Sequence, residues 1–425
     1  MLKTKIRSKN KHSKESAAIK DEIIVLLKKL RRLFMRAINP VFCVFFTIFL
    51  CCFSCKNEQK KVNNQPLPTP QEATSTTENL RHAKKFSVEK NGDITLIKVF
   101  SPWPNAKKDF TYALIPREKV ASITLMKDAY DAIVLTPVER IVVTSTTHIP
   151  ILEMLGVEET LVGFPQTEYV SSEKTRALID AEKIKDIGLN EQINIELLID
   201  LQPELVIGFS INNSNPTYKS IQKANIPVVY NGDWTEETPL GRAEWIHFFA
   251  PFFQKEAKAT EVFNSIEKNY VEAEQLAQKT TKKPSVLSGS LFKDVWYMPA
   301  GESFQAQYLK DANAHYIWAD SKGTGSLSLN IETVLDKAAD ADVWIGPGSY
   351  KTYVALENAN GLYSKFKPFT DKKIYSAANT VGDTGGMLYY ELAPIRPDIV
   401  LKDIIKAVHP EILPEYQPFF FKPLQ

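Results

Sequence analysis

Apolar positions along this chain fall into three textures. The first is an unbroken apolar run at residues 41–54, ending at Cys55. Fourteen residues are too few to cross a bilayer, which needs about 20 at 1.5 Å each. With Arg36 before it, and Lys28, Lys29, Arg31 and Arg32 further upstream, the run has the length and flanks of an export signal. The second texture, residues 56–80, is almost free of apolar side chains and rich in Lys, Asn, Gln, Pro and Thr, which predicts a flexible leash of roughly 25 residues. The third fills the rest of the chain and has the periodicities of a folded body.

Within that body, residues 86–90 and 93–100 flank Asn91-Gly92 and predict a hairpin, and residues 109–115 predict another strand. From Arg140 onward, short apolar strands at residues 141–143, 161–163, 205–207 and 228–230 alternate with helical patterns. The same alternation returns at residues 285–287, 295–297, 343–345 and 373–375, and a helix is predicted from Pro397 to Val408. Strands alternating with helices imply parallel sheets. Between them, residues 239–280 carry no strand pattern, and Pro251 should break or kink their helical spacing, so two consecutive helices are expected. Asn194-Ile195-Glu196 and Asn330-Ile331-Glu332 each combine a capping Asn with an early Glu and lead to an apolar strand. Their placement on either side of the helical segment favours two similar lobes over one large sheet. The expected organisation is a leader (1–55), a tether (56–80), an N-terminal lobe with an initial hairpin region (81–238), a helical connector (239–280) and a C-terminal lobe (281–425). Met35-Arg36 would open a signal of ordinary length, so translation is expected to begin at Met35.

Charge changes the picture once the leader is set aside. It holds twelve Lys and Arg against three Asp and Glu, out of 52 and 50 in the chain, so residues 56–425 carry a net charge of about −7. An acidic body argues against nucleic acid as a partner. All four cysteines, Cys43, Cys51, Cys52 and Cys55, lie in the leader, which leaves none for a disulfide, a thiolate nucleophile or a cysteine metal site.

Ser54-Cys55, followed by polar Lys56-Asn57-Glu58-Gln59, resembles a bacterial lipoprotein lipobox, although Cys52 stands where such motifs usually carry Leu. The resemblance implies lipidation of Cys55 and an anchor in the cell envelope, facing the periplasm or the outer side of the membrane. An ordered series of further motifs follows. Residues 140–148, 152–156 and 161–163 come first, then Pro239-Leu-Gly-Arg-Ala-Glu-Trp245, Trp296-Tyr-Met-Pro-Ala-Gly301, Arg396-Pro-Asp-Ile-Val-Leu-Lys-Asp403 and His409-Pro410-Glu411. Over residues 86–420 this series resembles the solute-binding proteins of bacterial ABC importers, in the helical-backbone group that carries iron chelates, haem and corrinoids. The resemblance implies an α/β fold of two Rossmann-like lobes with parallel-rich sheets, a rigid helical connector and a ligand cleft between the lobes. It also implies a non-enzymatic monomer without a cofactor that captures a siderophore, haem or corrinoid for an ABC permease. Relatives dock on the permease through one exposed Glu per lobe. Residues 212–215, the expected place of the first, contain no Glu.

A cleft for a large planar or chelated ligand calls for rigid aromatic faces and a few cations. Trp234 follows the strand at 228–230, at a strand end where parallel sheets bind ligands, though it could equally pack on the helical segment. Trp296 and Tyr297 hold a similar place in the second lobe; Trp296 is an equal candidate for the core, and Tyr297 is the better ligand residue. Thr147 and His148 end the first strand of the sheet, where free helix amides would face the cleft. A lone His is more often a structural cap than an iron ligand. Tyr389 and Tyr390 follow the glycine-rich residues 382–386, and relatives often carry Trp where Tyr390 stands. Arg242 and Arg396 are candidate anion partners, with a structural ion pair favoured for Arg396.

Three rival readings compete. Gly382-Asp383-Thr384-Gly385-Gly386 resembles the nucleophile loop of trypsin-like proteases with Thr for Ser, but helix-rich surroundings oppose that fold. A binder of bare zinc or manganese would need clustered ligands, whereas His82, His148, His247, His315 and His409 are scattered, so no metal-ligating residue is assigned. A sensor or scaffold that kept the binding fold without transport would look the same in sequence.

Overall fold

The computed structural model describes residues 75–123, 129–213 and 215–425. The leader, Met35, the lipidation candidate Cys55 and most of the leash lie outside the described residues. The end of the leash does not match its polar composition. Ser75–Thr77 pairs antiparallel with Phe86–Asn91, and the Glu244 carboxylate accepts from the backbone N–H groups of Arg81, His82 and Ala83 at 2.7–2.8 Å. Main-chain pairing and a buried carboxylate hold this stretch in place, and neither needs apolar side chains.

The expected hairpin forms between Phe86–Asn91 and Ile94–Val99; Asn91 pairs with Ile94, so the turn falls one residue later than expected, at Gly92-Asp93, where Gly92 has φ +60°. Phe110–Pro116 and Ala132–Thr136 complete a five-stranded sheet with it. A second, all-parallel sheet follows in the order Val228–Tyr230, Leu205–Gly208, Ile141–Val143, Leu161–Phe164, Lys185–Asp186. In the C-terminal lobe, His315–Tyr316, Ser285–Ser288, Val343–Ile345 and Ile374–Ser376 run parallel, and Lys422–Pro423 adds an antiparallel edge. Val295–Pro299, expected among the alternating strands, lies instead in a three-stranded antiparallel sheet between Ser290–Phe292 and Ser326–Leu329. The two-residue turn Lys293-Asp294, with Lys293 at φ +55°, folds this strand back on its predecessor before a helix can intervene. Both predicted caps form: Asn194 Oδ1 accepts from Leu197 N and Asn330 Oδ1 from Thr333 N.

The connector opens with the short helix Pro239–Ala243 and continues as Ile246–Phe253 and Glu256–Ala277. Pro251 sits in the last turn of the middle helix, and the break comes just beyond it at Gln254, which adopts φ +57°. The 22-residue helix Glu256–Ala277 is about 33 Å long. Its buried positions, Ala259, Phe263, Ile266, Tyr270, Ala273 and Ala277, recur at spacings of three and four, one continuous face. The first three belong to the apolar core of the N-terminal lobe and the last three to that of the C-terminal lobe. One rod thus roots in both cores, and bending it would disrupt both. The final helix Pro397–Val408 packs along it. Arg396 is tied by two bonds of 2.8 and 2.9 Å to buried Asp398 at the start of that helix, a structural pair.

Candidate functional site

The two parallel sheets present their carboxyl ends to one cleft. From the N-terminal lobe come Thr144–Thr146 after the first strand, Phe164 to Gln166 after the second, and Phe209. From the C-terminal lobe come Ser288 to Ser290, Gly346 and Gly348, and Ala377, each following a strand. Carboxyl ends of parallel strands are the usual ligand-binding edge of such sheets, because the chain leaves them as loops free of ladder constraints. Three cavities of about 280, 320 and 260 Å³ line this cleft, and Tyr390 borders all three. Four aromatic rings around them remain open to solvent: Tyr169 at 57 %, Phe292 at 66 %, Tyr297 at 42 % and Tyr390 at 61 %. Large rings are normally buried, so a cluster left open at a concave edge is a surface prepared for an apolar or planar partner.

Among the described residues Arg242 is the only cation lining these three cavities. Its guanidinium lies 4.4 Å over the Phe304 ring, and its Nε is buried without a hydrogen-bond partner. Thr147, Tyr308, Tyr389 and Tyr390 share its cavity. Burial pushes the Tyr389 phenol up to about 12, with Arg242 pulling the other way, so Tyr389 stays a neutral donor. Beside Tyr390, the buried carboxylate of Glu391 accepts from Ser171 N at 2.7 Å and Ser172 N at 2.8 Å. Burial pushes this carboxyl up to about 7 against those two donors, and Glu153 nearby adds to the rise. The turn before it, closed by Gly382 N on Gly386 O at 2.9 Å, lies so close to Ser171 that a side chain on Gly382 would meet the Ser171 carbonyl oxygen at 2.7 Å. The glycines therefore serve a crossing strap between the lobes. Thr384 Oγ1 bonds the Val170 carbonyl, not an imidazole, which leaves the protease reading without a base.

The structure brings Thr147, Arg242, Tyr389 and Tyr390 into one cavity, and Tyr297 into the adjoining one with the same two tyrosines. Trp234 lines a neighbouring cavity that shares Phe304 and Gln305 with that of Arg242. Two candidates need correction. His148 is fully buried with neither ring nitrogen bonded; its ring lies 5.2 Å from Phe249, and burial drives its pKa down to about 3. It ends the one-turn helix Thr146–His148, which leaves Thr147 beside the cavity and takes the next residue into the core. Trp296 is fully buried too, with Trp344 at 5.4 Å and Phe366 at 5.5 Å, and its indole N–H donates to the Ser288 carbonyl. Strand alternation separates it from Tyr297: one faces the core and the other the cleft. Tyr169, Phe292 and Gln305 also line the site and were not anticipated. Phe292 alone had a usable signal, an apolar residue at the tip of a two-residue turn.

No helix among the described residues is long and apolar enough to cross a membrane, and no group of three or more His, Cys, Asp or Glu among them could hold a metal ion. A family model described as "Periplasmic binding protein" matches residues 141–375, the stretch holding most strands of both parallel sheets. An uncharacterized lipoprotein of Methanocaldococcus jannaschii is 26% identical over 295 residues, 67% of this chain and 68% of the relative. A possible iron-binding (periplasmic solute-binding) protein from Staphylococcus epidermidis shares the fold at a TM-score of 0.51 with 19% identity, covering 64% of this chain and 100% of that one. A periplasmic binding protein from Veillonella parvula does so at 0.50 with 18% identity, covering 67% and 89%.

Proposed function

Because this chain belongs to the periplasmic binding protein family, whose members bind solutes and are not enzymes, we propose that it captures an iron chelate, haem or a corrinoid and delivers it to an ABC import permease. Capture takes place in the cleft between the lobes, with the protein held at the membrane through lipid on Cys55. The carrying observation is the set of four open aromatic rings beside one guanidinium whose buried Nε has no hydrogen-bond partner, at the carboxyl ends of both sheets. Flat faces grip a planar or chelated metal complex, and Arg242 meets a carboxylate or other anionic group on its edge. Glu256–Ala277, rooted in both cores, limits the lobes to small rocking movements, so the cleft is largely formed before the ligand arrives. The lipoprotein name of the Methanocaldococcus relative supports the anchor.

The test is a titration of the exported chain with ferric siderophores, haem and cobalamin, followed by tryptophan fluorescence, which Trp234 in the adjoining cavity should report. At least one compound should bind with micromolar or tighter affinity and lose affinity in Tyr390→Ala. Tight zinc or manganese binding without any response to the chelates would replace this reading with the bare-metal one. Deletion of the gene should impair growth on the bound compound as sole iron or corrinoid source; unimpaired growth would leave a sensor instead of an importer component.

A further inference from the structure

The largest cavity at the cleft, about 500 Å³, lies beyond Gln305 and Ser326, side chains that also border the C-terminal cavity. One wall comes from outside the stretch that matches the family model: Ser101, Trp103 and Asn105, in the loop joining two strands of the N-terminal sheet. Trp234 stands in the wall beside it, and Phe304 and Thr324 close the far side from the C-terminal lobe.

The loop is pinned. Trp103 Nε1 donates to Asn213 Oδ1 at 3.1 Å, Asn213 Nδ2 donates to the Asn105 carbonyl at 3.1 Å, and Ser101 N donates to Asp109. Trp103 itself is buried against Phe110 and Tyr230, at 5.5 and 5.1 Å between ring centres. Gly232 lets the loop approach, since a side chain there would meet Pro102 Cα at 3.0 Å. A wall held from three sides is preorganised and needs no ordering when a ligand arrives.

We propose that this space is a second compartment of the binding groove, walled by Trp103 and Trp234, that holds an uncharged, amide- or hydroxyl-bearing arm of the metal chelate seated in the cleft. The inference rests on the proposed binding role of the cleft and adds the ligand's periphery to it. Its polar lining is mostly neutral: Ser101, Asn105, Thr235, Ser303, Gln305 and Ser326. Of the charged groups, Lys85 is offset by the Glu236 carboxylate it attracts, Glu236 is further occupied by the N–H groups of Lys84 and Lys85 and by the Trp245 indole, and exposed Glu237 repels anions. Anionic groups therefore go to Arg242 and neutral ones to this compartment. A compact ring whose only polar groups are carboxylates leaves it empty; an amide-rich chelate fills it.

Thr324 is exposed and borders only this cavity, so Thr324→Trp fills the compartment without touching a core. Wild type, Thr324→Trp, Thr324→Ser and Trp234→Ala are titrated with haem as the compact probe and with cobalamin and ferrichrome as amide-rich probes. Thr324→Trp and Trp234→Ala should each weaken an amide-rich probe about tenfold, the scale of one lost aromatic packing contact, while Thr324→Ser leaves its affinity unchanged and haem shifts less than about twofold. Probes that bind all four proteins alike, or that weaken equally in Thr324→Trp whether compact or amide-rich, would overturn the compartment and leave the cleft's role standing. Binding of haem alone by the wild type would also overturn it. Binding of no probe would remove the proposed function, and the compartment with it.

Discussion

Glu391→Gln should flatten a defined part of this protein's pH–stability profile. The wild-type carboxyl is buried at the cleft, accepts two backbone N–H groups at 2.7 and 2.8 Å, and titrates near 7 in the folded state against an ordinary 4.5. Between those values the folded chain holds a proton that the unfolded chain has released. Stability from this group is thus fully present below pH about 4.5 and is lost as pH rises through about 7. A displacement of roughly 2.5 units at 1.36 kcal/mol each amounts to about 3 kcal/mol. Other carboxyls raised by burial, such as Asp311 and Asp403, remain in both proteins and cancel in the difference. Glutamine keeps one acceptor for the Ser171 or Ser172 N–H and cannot ionise. Urea unfolding at half-unit intervals from pH 4.5 to 8 should therefore show wild type losing about 3 kcal/mol relative to Glu391→Gln across that window, with the two curves parallel above it. Parallel curves throughout would show that Glu391 ionises normally in the folded protein, and the description of the buried strap would then be wrong.

Three further outcomes follow from the same geometry. Arg242→Gln should weaken haem, with its two carboxylates, by about tenfold or more in a binding titration, and cobalamin by less; equal effects on both would assign Arg242 a structural role. His148→Leu should leave ligand affinity unchanged, and it should abolish an acid-side stability loss on the order of 5 kcal/mol between pH about 6.5 and 3, where the unfolded chain takes up a proton that the buried imidazole refuses. Adjacent substitutions on one strand should separate: Trp296→Ala costs about 3–5 kcal/mol in urea unfolding, whereas Tyr297→Ala changes stability by less than about 0.5 kcal/mol and lowers ligand affinity.

The parallel strands were legible because each is a short continuous apolar run, such as Val343-Trp344-Ile345, buried on both faces. Asn194 and Asn330 were legible because capping is local: the side chain bonds an amide three residues ahead. Residues 75–80 read as leash because what fixes them, the pairing of Ser75 with Asn91 and the hold of Glu244 on the adjoining residues 81–83 more than 160 positions away, is invisible to local composition. The cleft split along the same line. Tyr297 and Tyr390 stood out as aromatics next to strand or loop ends. Tyr169, Gln305 and the Trp103 loop qualify only by what faces them across the groove.

Periodicity, capping residues and turn chemistry were enough to place two parallel-sheet lobes on a helical rod, since each depends on neighbours within a few residues. Which side of Thr147-His148 and Trp296-Tyr297 meets solvent was settled by packing, because adjacent residues on a strand or a tight turn point opposite ways and identical chemistry serves either face. The joining of Arg242, Tyr389, Tyr390 and Trp234 around one groove likewise came from folding, which brings together residues some 150 positions apart in a chain whose local patterns carry no record of that distance.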